Sequence, residues 1–299
     1  MERNLLKTND EQSFGGLYFS ATILLLLVAN IVLTAVLSAV GNVQQMQGKL
    51  WFTLISFSLS GIVIVLTTLI FSSANKINPI KLCGFKKTDA KYYLLAVAAF
   101  VSIFFGLSNV NLKFIEFLEQ FGYAYEPVQL PKFSPFSFIA VVFAVCVLPA
   151  FAEEIALRHI VLNGIKTGSV VLNAVIGGLL FAIYHMNPAQ TPYQFIIGFV
   201  FSLIAIKSRS TIPTIIAHFL NNFAIISIEY FYPTFSLVGG NYFLVTVIPS
   251  LVSLVAIIAV LLLDGKDEMS QKGGVKTFFA YSSFGIAVCL LMWTASLLV

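Results

Sequence analysis

From end to end the chain alternates long apolar runs with short polar stretches. Crossing a bilayer as a helix takes about 17–25 apolar residues. Nine runs approach or meet that length, at roughly 16–40, 51–72, 92–109, 136–163, 169–186, 192–206, 211–231, 242–263 and 277–298. The sixth is the shortest and is expected to tilt against its neighbours or to span incompletely. The first follows a mixed-charge start, Met1 to Gln12. It exceeds the signal-peptide core of about 7–15 residues, so it predicts an uncleaved first span. Between the third and fourth runs, Leu112, Ile115, Leu118 and Phe121 recur every three residues, as in a helix lying in the membrane interface. Pro127, Pro131 and Pro135 then carry the chain into the fourth run. No internal repeat or low-complexity segment stands out. The predicted fold class is all-α, a polytopic transmembrane helical bundle of about 8–9 spans.

Composition strengthens this picture. Of 299 residues, 59% are hydrophobic and 10% charged, with a mean hydropathy of +0.94. Soluble domains carry about a quarter charged residues, so this chain cannot cover a water-facing surface. Membrane lipid is therefore an expected partner. The net charge of +4 does not point to nucleic acid, because the basic residues sit in loops and form no stripe interleaved with aromatics. Their distribution sets an orientation. With the N-terminus cytoplasmic, thirteen fall inside: Arg3, Lys7, Lys76, Lys81, Lys86, Lys87, Lys91, Lys166, Lys207, Arg209, Lys266, Lys272 and Lys276. Lys49, Lys113 and Lys132 fall outside, as does the C-terminus. A sixth run that failed to cross would put Lys266, Lys272 and Lys276 outside, which argues that it crosses. Fourteen Lys against three Arg, with many Ile, Phe and Asn, suggest an AT-rich bacterial genome and hence a multi-pass protein of a bacterial plasma membrane. Cys83, Cys146 and Cys289 form no CxxC and no metal-like spacing, and no disulfide is expected.

Candidate chemistry lies in the fourth run, in Ala150-Phe-Ala-Glu-Glu-Ile-Ala-Leu-Arg158. A charge at mid-bilayer costs at least ~2.5–3.5 kcal/mol, so Glu153, Glu154 and Arg158 are expensive in a helix that serves only as an anchor. Glu154 and Arg158 share a face at i, i+4 and can pair. Glu153 lies about 100° round the helix without an obvious local partner, which suits a general base. Phe181 and His185, and His218 and Asn222, repeat the i, i+4 spacing. At about 1.5 Å per residue, Glu153, His218 and His185 lie about 15, 10 and 24 Å from the inner ends of their spans. Tilting, with a kink at Pro149, would let them meet. A lone histidine in an apolar helix is more often a packing residue. His159 and Glu229, near span ends, and Asn221, off the His218 face, read as ordinary, and the 29 phenylalanines as packing and lipid-facing surface. There is no HExxH, no serine nucleophile paired with a histidine, and no Asp within a span.

Taken in order, Glu153-Glu154-x-x-x-Arg158, Phe181-x-x-x-His185 and His218-x-x-x-Asn222 resemble the three motifs of the CPBP (Abi) family. These are CAAX proteases and bacteriocin-processing membrane proteins, typified by the type II CAAX prenyl endopeptidase. His159 departs from the family, where many members have Gly after the Arg. The resemblance implies an intramembrane peptidase core at 131–235, flanked by N-terminal spans and the interfacial helix at 1–130 and by C-terminal spans at 236–299. It implies that Glu153 activates water with help from His185, and that His218 and Asn222 bind metal or stabilise the oxyanion. Glu154 and Arg158 would hold the site in place. Two imidazoles, His185 and His218, with a carboxylate would suit Zn2+ or another divalent ion; a metal-free route through the same groups satisfies the chemistry equally. The implied substrate is a membrane-associated peptide or protein. Two other classes fit the buried charges: a catalytically silent scaffold or bacteriocin immunity factor of the same fold, and a proton-coupled transporter. The filled motifs favour the enzyme over the first. The transporter lacks the expected inverted repeats or paired broken helices.

Overall fold

With no water in the bilayer core to satisfy backbone N–H and C=O groups, a spanning chain must pair them within itself, and the apolar runs do so as helices. The computed structural model describes residues 6–8, 10–125, 127–232, 242–265 and 273–298, so Arg3, Lys266 and Lys272 lie outside the described residues. Among the latter there is no strand. The long helices are α1 Glu11–Val40, α2 Leu50–Asn75, α3 Ala90–Glu119, α4 Pro135–Gly164, α5 Val170–Tyr184, α6 Thr191–Ser208, α7 Ile212–Phe231, α8 Phe243–Leu263 and α9 Val275–Leu297. Local signals set their ends. The Asp10 carboxylate accepts from the Ser13 amide, and Ser134 and Ser137 form a reciprocal capping box before α4, which has Pro135 in its first turn. The α2 and α6 C-termini close on Lys76 and Arg209 in the left-handed conformation.

Two expectations are corrected. The third run and the interfacial segment are one 30-residue helix, α3. Between Leu107 and Phe121 there is neither Gly nor Pro to interrupt it, and it stops only at Gly122, with φ 91°. At about 45 Å it exceeds the hydrocarbon thickness of about 30 Å. The short helix is the fifth, not the sixth. The 15-residue α5 ends where Met186 takes φ 50°, whereas the apolar helix at the sixth run extends over Pro188–Ser208, 21 residues. Counting hydrophobic residues misses this because Thr191, Gln194, Lys207 and Ser208 continue the helix.

The helices alternate in direction. At one end Thr8 meets Asn75, Glu11 pairs with Lys166, His159 meets the Lys81 carbonyl, Thr211 bonds the Cys83 carbonyl, and Lys91 pairs with Asp264. At the other end Tyr123 meets Asn187, Trp293 donates to Thr191, and Ser296 donates to the Met186 carbonyl. Helix α6 joins the two, from Thr191 beside Trp293 to Lys207, which donates to the Asp264 carbonyl. The sixth run therefore crosses the bundle.

Helix α4 is the hub, packed against α1, α2, α5, α6 and α7. α5 and α6 approach most closely at two glycines: a Cβ on Gly198 would lie 2.9 Å from the Gly178 Cα. Small residues at helix interfaces are how membrane helices gain contact without a hydrophobic driving force. Leu24, Val28, Ile31, Ile62 and Leu66 are among the large apolar side chains left facing outward, toward lipid.

Candidate active site

Helix α4 is α-helical only in part. Two π-helical stretches, Val142–Val147 and Glu154–Val161, flank the short α segment Leu148–Glu153. The first precedes Pro149, which has no N–H to donate to the Val145 carbonyl four residues back. That carbonyl instead accepts from Asn222 Nδ2 of α7 at 3.1 Å. A carbonyl only accepts, so this bond fixes which end of the Asn222 amide carries nitrogen. The kink expected at Pro149 is thus a change of helical register that frees an acceptor for a neighbouring helix.

Both glutamates reach one imidazole. Glu154 Oε1 lies 3.0 Å from His218 Nδ1, and Glu153 Oε2 lies 4.0 Å from His218 Nε2. Beside Arg158, Glu154 acts as acceptor, so Nδ1 donates; in the neutral tautomer this leaves the Nε2 lone pair toward Glu153. All are secluded: Glu153 is 6% exposed, Glu154 0%, Arg158 3% and His218 5%. Glu154 Oε2 and Arg158 Nε approach to 3.2 Å, but the angle is poor and the contact is an ion pair, not an aligned hydrogen bond. The Arg158 guanidinium is also carried by the Phe181 ring, 4.3 Å from its centroid.

Phe181 connects the second histidine. Its ring centroid lies 4.7 Å from that of His185 and 6.0 Å from that of His218, edge-on in both cases. His185 caps α5, where the last carbonyls lack helical partners, and its Nδ1 donates to the Phe181 carbonyl at 2.8 Å. His185 Nε2 is then the acceptor nitrogen. The structure brings His218, not His185, against Glu153.

Asn222 is held from its other side as well. Asn221 Nδ2 donates to Asn222 Oδ1 at 3.2 Å, and Tyr193 of α6 donates to Asn221 Oδ1 at 2.5 Å. Asn221 is only 4% exposed. It therefore sits within the polar chain, contrary to the ordinary role read from its neighbour's helical face. Tyr184 is a further group that sequence reasoning passes over; its hydroxyl is buried without a hydrogen-bond partner. Two consecutive asparagines in an apolar helix are a signal for Asn221, but nothing local marks Tyr193 or Tyr184. Of the others, His159 bonds the Lys81 carbonyl and Asn163, away from the paired glutamates.

The six residues Glu153, Glu154, Arg158, His185, His218 and Asn222 thus converge from α4, α5 and α7. Among the described residues, no three His, Cys, Asp or Glu side chains are arranged to hold a metal ion; His218 already gives Nδ1 to Glu154. As placed, His185 and His218 do not complete a zinc cage. What the groups do offer is two acceptors 4.0 Å apart. A water bonded to both at about 2.8 Å would subtend an angle of about 90°.

Residues 135–224 match the family model described as type II CAAX prenyl endopeptidase Rce1-like. The match agrees with the family that the three motifs resemble, and it shows a likeness of this segment to that family. The match spans α4 to α7 and less than a third of the 299 residues. Neither the comparison with curated proteins nor that with solved structures gives a match.

Proposed function

We propose that this chain is an intramembrane endopeptidase that hydrolyses a peptide bond in a membrane-associated peptide or protein. The observation that carries the reading is one imidazole placed between two glutamates inside a bundle of apolar helices. Such a group of ionisable residues is costly in a membrane without a function. In this reading the hydrolytic water donates one proton to Glu153 and the other to His218 Nε2, which turns its lone pairs toward the substrate carbonyl. Glu153 takes a proton as water attacks and returns it to the leaving amine. Glu154, anchored by Arg158, orients His218 as the carboxylate of a catalytic triad orients its histidine. Asn222 keeps one Nδ2 proton on Val145 and offers the second to the developing oxyanion. His185 Nε2 accepts from a substrate N–H.

This route needs no metal, so prolonged chelation should leave the rate unchanged. The same reading assigns the lysine-rich end of the bundle to the cytoplasm of a bacterial plasma membrane, with α1 entering from that side. The test compares the membrane peptidome of cells carrying the wild type with that of cells carrying Glu153→Ala. Peptides that change only with the active protein identify substrates. Identical peptidomes across growth conditions would sink the peptidase reading in favour of a silent scaffold.

A further inference from the structure

The turn that carries His185 is held from outside the matched segment. His185 closes α5, and Met186 follows it at φ 50°. A residue with a Cβ disfavours that left-handed conformation about 5- to 30-fold. Among the described residues Lys76 and Arg209 share it, but of the three only Met186 is next to a site residue in sequence. The Met186 amide donates to the Ile183 carbonyl at 2.9 Å, and its carbonyl accepts from Ser296 Oγ at 3.1 Å. That hydroxyl has one proton and also lies 2.8 Å from the Met292 carbonyl of its own helix, so it holds Met186 only in part. Trp293 supplies the rest. Its indole N–H only donates, and it lies 2.7 Å from Thr191 Oγ1, which donates onward to the Asn187 carbonyl at 3.0 Å. Tyr123, after α3, donates to Asn187 Oδ1 at 3.3 Å, and the same oxygen takes the Ala189 amide. Trp293 and Ser296 are three residues apart, on one face of α9. Both, like Tyr123, lie outside the matched residues 135–224.

We propose that Trp293 is a positioning residue for His185. Bonded through Thr191 to Asn187, it keeps Met186 left-handed and so fixes where α5 stops. The Nδ1 bond of His185 to the Phe181 carbonyl depends on that stop. A helix that ran on through Met186 would set the His185 amide on the same carbonyl, in competition with the ring, and the proton would be free to sit on either nitrogen. With the stop in place Nδ1 keeps the proton and Nε2 stays bare. The use of that bare nitrogen on a substrate N–H rests on the peptidase reading; the hold on the ring does not.

The test reads histidine tautomers by solid-state NMR, in full-length protein with isotope-labelled ring nitrogens in liposomes. The chain has three histidines, so His185→Gln identifies the His185 signals by their loss. In the wild type His185 should show one tautomer, protonated at Nδ1. Trp293→Phe keeps the aromatic bulk and removes the donor. It should populate both tautomers of His185 and leave His159 and His218 as they were. Thr191→Val breaks the same link from its other end and should give the same spectrum, so the result does not hang on the folding of one variant. Glycine takes positive φ without penalty. Met186→Gly in the Trp293→Phe background should therefore return His185 to one tautomer, and Met186→Ala should not. Thr294→Ala, exposed on the same turn of α9 and bonded to Leu290 of its own helix, should change nothing. A single Nδ1-protonated His185 in both Trp293→Phe and Thr191→Val overturns the proposal. So does equal rescue by glycine and alanine, which would mean that the indole does not act through the conformation of Met186. On a substrate found by the peptidome comparison, Trp293→Phe should raise KM, by up to about 30-fold, with kcat kept. Mixed tautomers beside an unchanged KM would count against the peptide-binding role of His185 and leave the hold on its ring standing.

Discussion

Replacing Pro149 by alanine tests whether that residue creates the acceptor on which Asn222 hangs. Alanine restores an N–H positioned for the Val145 carbonyl and removes a helix-interior proline that costs ~3 kcal/mol. Asn222→Ala in the wild type strips that buried carbonyl of its side-chain donor, at a cost of about 1–3 kcal/mol. In the Pro149→Ala background the new N–H takes its place, and Asn222→Ala should cost less by that amount, keeping only the loss of its bond to Asn221. The double-mutant cycle therefore carries a coupling of about 1–3 kcal/mol, measurable as thermal melts of the four proteins in one detergent. A functional consequence accompanies it. Loss of the inserted residue turns the two halves of α4 by about 100° relative to each other, which moves a side-chain tip about 5–6 Å from the axis by about 8 Å. That is twice the 4.0 Å between Glu153 and His218, so a Pro149→Ala protein that relaxed to this register would be inactive on any substrate the peptidome comparison identifies and would lose the packing of α4, whereas one that keeps the wild-type register should gain stability. An equal cost for Asn222→Ala in both backgrounds would refute the reasoning.

Glu153→Gln and His218→Ala should each abolish cleavage while the protein stays folded, read by size-exclusion profile beside activity; full activity in Glu153→Gln would move the base to Glu154. Arg158→Ala should lower the melting temperature, since it leaves Glu154 buried without its counter-charge at about 3–5 kcal/mol, and unchanged melting would deny the ion pair a structural role. Cys83 is the one cysteine of three that is not buried, and partial burial raises its thiol pKa. Less of it is thiolate at neutral pH, so labelling should speed up as pH rises past the usual thiol range. A membrane-impermeant maleimide should reach it only after permeabilisation; labelling in intact cells would invert the proposed orientation.

The long helices were legible because lipid leaves an apolar run little choice but to pair its own backbone. Their ends were less so: α3 runs through Asn109 and Asn111, polar residues that do not break a helix, and α5 stops at a backbone turn that hydropathy does not register. In the candidate site, the motifs read from the sequence name six residues that α4, α5 and α7 bring near one another. What stayed hidden was who meets whom. Helical spacing put Glu153 without a partner, but the register of α4 brings it to the same imidazole as Glu154. It also assigned Asn221 to an idle face, although a tyrosine 28 residues earlier, on another helix, fixes it in place.

Helix α5 has a consequence for the membrane around it. Fifteen residues span about 22 Å, against a hydrocarbon layer of about 30 Å, and Val171, Leu172 and Leu179 on this helix face outward. Lipid beside it must shorten to match, with Trp293 bonded to Thr191 marking the level of the lowered surface. His185 stands at the rim of that depression. On the proposed peptidase reading, a peptide anchored at ordinary headgroup depth would meet a lowered surface beside this histidine. On that reading, bilayers of shorter acyl chains would flatten the slope, and host-membrane thickness would tune access to the site.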